Sequence, residues 1–170
     1  MIMIMECCEL ADPSHDVIAL CEDESYLMMN FDIYSTVLTG HNIILVVCDN
    51  GSFSVINRLQ KFKDVKSINN QLEDFRIKDL VKVNFAAHAA SMGALTRNVE
   101  SIVDLEAALK SAKTTDRTTL ICVTTNAYVW SSGDAWWDVV VPKVSEREKS
   151  ALPRLIICRA AKCNVLAYKR

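Results

Sequence analysis

Residues 16–58 read DVIALCEDESYLMMNFDIYSTVLTGHNIILVVCDNGSFSVINR, and this stretch decides the fold class. Val17–Cys21 is apolar at every position and ends in the acidic cluster Glu22-Asp23-Glu24. Ile43–Cys48 is also apolar throughout and ends in Asp49-Asn50-Gly51. Runs of this kind suit strands buried on both faces, as in parallel sheets. Between them, Tyr26–Leu38 is long enough for a crossover helix, and Gly40 is placed to end it. The strands of a βαβ unit are parallel, so both finish at the sheet edge where α/β folds bind ligands. Asp23 and Asn50 are therefore predicted to face one crevice.

An Asp carboxylate and an Asn carbonyl are hard oxygen donors. With a backbone carbonyl and phosphate oxygens they suit Mg²⁺, which prefers octahedral oxygen coordination. Backbone N–H groups opening the helix after Asp23 would meet the same phosphates. The competing reading is structural: acidic residues and Asn commonly cap helices and fill turns after strands. Spacing alone favours that second reading.

Outward from this unit the alternation continues. Phe53–Gln60 is predicted helical, with Val55, Ile56 and Leu59 on one face. Arg58 reads as a solvated helix residue. The polar stretch 61–83 reads as a loop with weak helical pieces, and its Asn69-Asn70 pair follows no apolar strand. Phe85–Met92 is predicted to be a helix stopped by Gly93, with His88 as a packing or surface residue. Ala94–Val99 reads as a short strand. Ser101 is a good N-cap for a helix over 102–112, with Asp104 at the N3 position. Its buried stripe is expected to be Ile102, Leu105, Ala108 and Leu109. Thr118–Thr124 is β-branched or apolar throughout, the last clear strand. The alternation implies an α/β fold, a parallel sheet with helices on both faces.

The 170 residues are enough for one domain with a real core, and the net charge of −2 gives no electrostatic footprint for nucleic acid or an anionic membrane. Seven cysteines, an odd number with no CxxC, fit a reducing compartment and a cytoplasmic location. The first segment, MIMIMECCELA, lacks the basic region of a signal peptide and is too short to span a membrane. No P-loop, GxGxxG or nucleophile–His–acid constellation stands out, and no residue is assigned a catalytic role.

The wording of the stretch resembles the thiamine diphosphate (ThDP) signature of ThDP-dependent enzymes, GDG followed after a spacer by NN. Its counterparts here are Glu22-Asp23-Glu24 and Asp49-Asn50. SYLMMNFDIYSTVLTGH, VVCDNGSFSVINRLQ, HAASMGALTRNVES, AKTTDRTT and GDAWWDV are similar to one subfamily, the trihydroxycyclohexane-1,2-dione hydrolases of myo-inositol catabolism. The resemblance covers 12–148 and implies a diphosphate-binding (PP) domain, the C-terminal third of a longer subunit. It sets expected boundaries: a divergent segment at 1–11, the PP domain at 12–149 and a divergent tail at 150–170. It also implies ThDP and Mg²⁺ as cofactors. Asp23 and Asn50 would be the side-chain metal ligands, and Ser52 would supply a backbone carbonyl. Glu24 and Ser25 would place backbone amides against the diphosphate. The activity implied is hydrolytic C–C cleavage that opens the ring of the dione. The aromatic segment 128–138 would lie at an interface or pocket margin.

Two departures bear on binding. Both glycines of GDG are glutamates, at positions 22 and 24, which adds bulk and negative charge beside an anionic diphosphate. One like-charge pair at about 4 Å costs about 4 kcal/mol at an effective dielectric of 20, so weak or absent cofactor binding is expected. The resemblance also implies a pyrimidine-binding (PYR) domain, commonly on a second subunit of a homo-oligomer, that activates the cofactor. No segment here corresponds to it, so the chain is expected not to catalyse alone. The alternative is a non-catalytic remnant or interaction module that keeps the α/β fold.

Overall fold

A computed structural model describes residues 2–12, 14–28, 30–62, 67–68, 70–71, 75–76 and 82–129. The chain forms two compact units, one from 1–52 with 79–127 and one from 53–78 with 128–170.

The first unit holds a four-stranded sheet of order β1-β2-β4-β3, parallel throughout. Its strands are β1 (Val17–Glu22), β2 (Ile43–Asp49), β3 (Leu95–Val99) and β4 (Thr119–Thr124). Its helices are α1 (Ile2–Ala11), α2 (Asp23–Met28), α3 (Phe31–Thr39), α5 (Phe85–Ser91) and α6 (Ile102–Ala112); α4 (Ser54–Phe62) belongs to the second unit.

β2 is central, and Ile43–Val47 is buried at every position. Its side chains alternate between two cores, as strand geometry requires. Ile43, Leu45 and Val47 join Leu120 and Cys122 against Tyr26, Ile33, Phe85 and Ala89 from α2, α3 and α5. Ile44, Val46 and Ile121 face Ala108 and Ala112 of α6. Helices thus cover both faces.

β1 departs from its expected double burial. Ala19 and Cys21 are buried, but Ile18 and Leu20 are 47% and 69% exposed. Ile18 pairs with Ile44 and Leu20 with Val46, so they share the face covered by α6 further along the sheet. β1 is an edge strand, and α6 packs against β3 and β4.

The predicted crossover helix is two helices, α2 and α3, and it begins three residues earlier than expected, at Asp23. Acidic residues in a first turn favour the helix dipole, and Asp23 and Glu24 both lie there. Gly40 caps α3 at a φ of 75°, its N–H directed to the carbonyls of Thr36 and Val37. The α1 residue Glu9 ties that helix to the sheet: it pairs with His41 Nδ1 at 3.0 Å and accepts from the Asn42 N–H at 2.8 Å.

At α6, Ser101 caps as expected, accepting from the Asp104 N–H at 3.1 Å and donating to its carboxylate at 2.6 Å. Ala108 and Ala112 are buried and Leu105 and Leu109 partly so, but Ile102 is exposed. The helix starts just after β3 ends at Val99, so its first turn has passed the strand it would pack on.

In the second unit, α4 buries Ser54 and Asn57, while Val55 and Ile56 are exposed, contrary to the expected apolar face. The Asn57 amide donates to Ser67 Oγ, and the Asn70 amide donates to Gln60 Oε1 at 2.5 Å. Asn69, the PP-domain boundary at 149, the tail at 150–170 and all but the first two residues of the aromatic segment lie outside the described residues.

Candidate functional site

The site residues gather where β1 and β2 end side by side. Glu22 is in register with Cys48, so Asp23, which opens α2, lies beside Asp49, the last residue of β2. The Asp23 carboxylate faces the backbone N–H of Asn50, the N–H of Asp23 itself and the carboxyl of Glu24. Asp23 is only 6% exposed, and its Oδ1 has no hydrogen-bond partner. Burial raises its pKa, and the charge of Asp49 raises it further.

Glu24 is also buried, at 9% exposure, with Oε1 unpartnered. Burial pushes its carboxyl up to about 8, with further upward pushes from Asp23 and Glu22. The side chain has therefore turned inward. Sequence carries no signal for this, because a charged residue at a rim ordinarily faces water. Since Glu24 lies in a right-handed helix, its backbone does not need the positive φ that glycine permits. What remains of the Gly-to-Glu difference is bulk and charge. Ser25 is exposed on α2.

Asn50 is held in a tight turn. Its Oδ1 accepts from both the backbone N–H and the hydroxyl of Ser52, each at 2.9 Å. Asp49 Oδ1 accepts from the Gly51 N–H at 3.2 Å, and Gly51 has a φ of 65°. These are side-chain turns of the Asx type. An amide oxygen has two lone pairs, and both face Ser52 here. Ser52 itself is buried. A turn after β2 was expected from Asn50 and the residues that follow it; the double bond from Ser52 to the Asn50 side chain is what the structure adds.

Four acidic residues, Glu22, Asp23, Glu24 and Asp49, thus lie along one rim and raise the carboxyl pKa values of Asp23 and Glu24, though among the described residues no three such side chains group closely enough to hold a metal ion. Among the described residues, no ion pair joins a basic side chain to any of them. Cys48 beside them has its thiol pKa raised, by burial first and then by Glu22 and Asp23. His88, on α5, is bonded to the Tyr26 hydroxyl at 2.7 Å and packs against its ring.

The donors fit a hard cation: Asp23 offers a buried, unpartnered oxygen, and Asn50 can offer its amide oxygen by giving up one bond to Ser52. They fit a diphosphate less well. The inward carboxyl of Glu24 lies beside the first helical amides, where anionic oxygens would have to approach.

Comparison with known proteins gives a consistent result. Residues 5–123 match the family model described as thiamine pyrophosphate enzyme, C-terminal TPP binding domain. The chain is 31% identical over 150 residues to 3D-(3,5/4)-trihydroxycyclohexane-1,2-dione hydrolase 2 of Bacillus cereus, covering 82% of this chain and 23% of that protein. It is 33% identical over 143 residues to the corresponding hydrolase of Bacillus velezensis, covering 82% and 22%. Among solved structures, benzoylformate decarboxylase from Polynucleobacter necessarius superposes with a TM-score of 0.62 at 19% identity, over 76% of this chain and 23% of that one. The ThDP-dependent 4-hydroxybenzoylformate decarboxylase of Rhodococcus jostii gives 0.60 at 24% identity, over 69% and 21%. These two likenesses concern the fold. The chain spans less than a quarter of the length of the relatives it matches.

Proposed function

The chain belongs to the thiamine pyrophosphate enzyme family as a C-terminal TPP binding domain, and from that premise we propose that it is the cofactor-binding part of a ThDP- and Mg²⁺-dependent hydrolase. The substrate class is a polyhydroxylated cyclohexane-1,2-dione, opened by C–C cleavage in myo-inositol catabolism. The hydrolase identity of the relatives supports this reading. When bound, ThDP supplies the carbanion that attacks a carbonyl and the electron sink that stabilises the product of attack.

The observation that carries the proposal is the buried, unpartnered Asp23 oxygen set beside the Asn50 turn. Asp23, Asn50 and the Ser52 carbonyl would hold the cation, and the amides of Glu24 and Ser25 would lie against the diphosphate. Glu22 and Glu24 oppose that anion, so cofactor binding is weak. No residue of this chain is assigned a proton-transfer role. A PYR domain would bring that function from a partner, in a homo-oligomer of the longer subunit. Apolar side chains left exposed on α2 and α3, among them Leu27, Met28, Phe31 and Leu38, accord with a surface that a partner covers.

Free thiols at Cys7, Cys8, Cys21, Cys48 and Cys122 support a reducing, cytoplasmic setting. Among the described residues, no helix is long and apolar enough to cross a membrane.

A second reading is favoured by the inward Glu24 carboxyl: a non-catalytic interaction module that keeps the fold without the cofactor. Supplying the missing part in trans separates the two. The N-terminal part of the B. velezensis hydrolase is mixed with this chain, ThDP and Mg²⁺, and dione hydrolysis is followed. No turnover is expected from the chain alone, and turnover is expected from the mixture containing the Glu22→Gly/Glu24→Gly variant. Complex formation without turnover, with either form of the chain, would favour the second reading. Turnover by this chain alone would overturn both.

A further inference from the structure

A small cavity opens at the sheet edge opposite Asp23 and Asn50. Leu95 and Thr119, the first residues of β3 and β4, are in register there, and the last turn of α6 forms the other wall. The cavity volume is about 130 Å³. We propose that it binds a short aliphatic monocarboxylate, with the carboxylate on Arg97 and Ser111 and the alkyl chain against Leu95, Ala108 and Ala112. The site is separate from the cofactor-domain reading given above and does not depend on it.

The lining sets the charge of the ligand. Arg97 is the one charged residue among those that line the cavity. Strand side chains alternate between faces, so Arg97 shares the face of Val99, which packs in the core beneath α6. Exposed arginines are ordinarily only solvated; this one borders a cavity with an apolar wall. Among the described residues, neither Arg97 nor the Ser111 hydroxyl has a hydrogen-bond or ion-pair partner. The carbonyls that end α6 do not occupy the guanidinium, since those of Leu109, Ser111 and Ala112 accept from the N–H groups of Lys113, Thr114 and Thr115. The lysines on either side are already paired, Lys110 with Glu106 at 2.7 Å and Lys113 with Asp16 at 2.9 Å. A guanidinium offers a planar fork of donors that matches a carboxylate, and the serine hydroxyl adds one more.

Volume and polarity set the rest of it. A cavity of about 150 Å³ takes up benzene, so this slightly smaller one suits a ligand of about six non-hydrogen atoms, the size of butyrate. Leu95, Ala108 and Ala112 give that ligand an apolar surface for its chain. Thr115 and Thr119 also line the cavity, but they direct their hydroxyl protons to the Ala112 and Arg117 carbonyls, at 2.8 and 3.1 Å. What these hydroxyls have left is lone pairs, which repel a second carboxylate. The lining therefore favours one anionic group on an apolar stem over a dicarboxylate or a bare inorganic anion.

The test is titration of sodium butyrate into the ¹⁵N-labelled full chain, followed by amide NMR shifts. Saturable shifts are expected at Leu95–Arg97 and at 111–115, with the amides of Asp23 and Asn50 unmoved. Succinate and inorganic phosphate should bind about tenfold more weakly or worse. Arg97→Leu keeps much of the side-chain bulk and removes the charge. It should weaken butyrate by about tenfold or more, the cost of losing hydrogen bonds to a charged group. Ser111→Leu, which adds bulk at the mouth, should do the same. Both positions are exposed, and near-UV circular dichroism checks that each variant keeps the fold; if Arg97→Leu does not, Ser111→Leu decides by the same criterion. No saturable shift with butyrate would overturn the proposal, as would shifts confined to other parts of the chain. Unchanged affinity in a folded variant would also overturn it, and so would succinate or phosphate binding as tightly as butyrate.

Discussion

The backbone N–H of Asn50 is directed at the carboxylate of Asp23, which joins the end of β2 to the start of α2. The same Asn50 uses its side-chain oxygen to hold the N–H and hydroxyl of Ser52. One residue therefore positions the acid through its main chain and shapes the turn through its side chain. Asn50→Ala keeps the first contact and leaves the buried Ser52 short of its acceptor. A loss of about 1–3 kcal/mol is expected, the usual cost of an unsatisfied buried group, measured by urea unfolding of the metal-free chain.

Glu24 makes stability depend on pH. Its folded pKa, about 8, lies above the ordinary value of 4.5. The folded state therefore holds the proton more tightly than the unfolded state. The resulting stabilisation is fully present below about 4.5 and is lost as pH rises towards 8. In chelator, the Tm should fall across that window, and Glu24→Gln should flatten the fall. A Tm that rises between pH 5 and 8, with the same slope in Glu24→Gln, would contradict the buried placement of this carboxyl.

The sheet order makes a contrast between two leucines. Leu45 on central β2 is 2% exposed, whereas Leu20 on edge strand β1 is 69% exposed. Leu45→Ala should cost about 2–5 kcal/mol, as buried Leu truncations do. Leu20→Ala should stay within about 0.5 kcal/mol, as for an ordinary surface change. Denaturant midpoints of the two variants test this directly.

Beneath α3 lies a buried hydroxyl pair. Thr118 Oγ1 is 3.0 Å from Thr36 Oγ1 and 2.8 Å from the His41 carbonyl, and Thr36 donates to the Ile33 carbonyl at 2.8 Å. Both threonines are almost fully buried. Thr118→Val keeps the shape but leaves the His41 carbonyl without this donor. The expected loss is about 1–2 kcal/mol, read from thermal unfolding.

Ile43–Val47 and Val17–Cys21 show what the sequence made legible. Both are unbroken apolar runs, and both are strands. Such a run reports strand character but not the neighbours, so the edge position of β1 and the exposure of Ile18 and Leu20 were invisible. The meeting of Asp23 with Asn50 was legible, because parallel strands must end at one edge. The inward turn of Glu24 was not, because it depends on packing that no local pattern encodes. The exposed Ile102 has the same origin: periodicity gives the face of α6, not where its supporting strand stops.

We propose that this domain keeps the cation half of a ThDP site while Glu22 and Glu24 oppose the diphosphate half. The most direct test is calorimetric titration of ThDP, at saturating Mg²⁺, into the unaltered chain and into Glu22→Gly/Glu24→Gly. Little or no ThDP heat is expected from the unaltered chain, and saturable binding from the double variant. Tight, Mg²⁺-dependent ThDP binding by the unaltered chain, no stronger in the double variant, would contradict it.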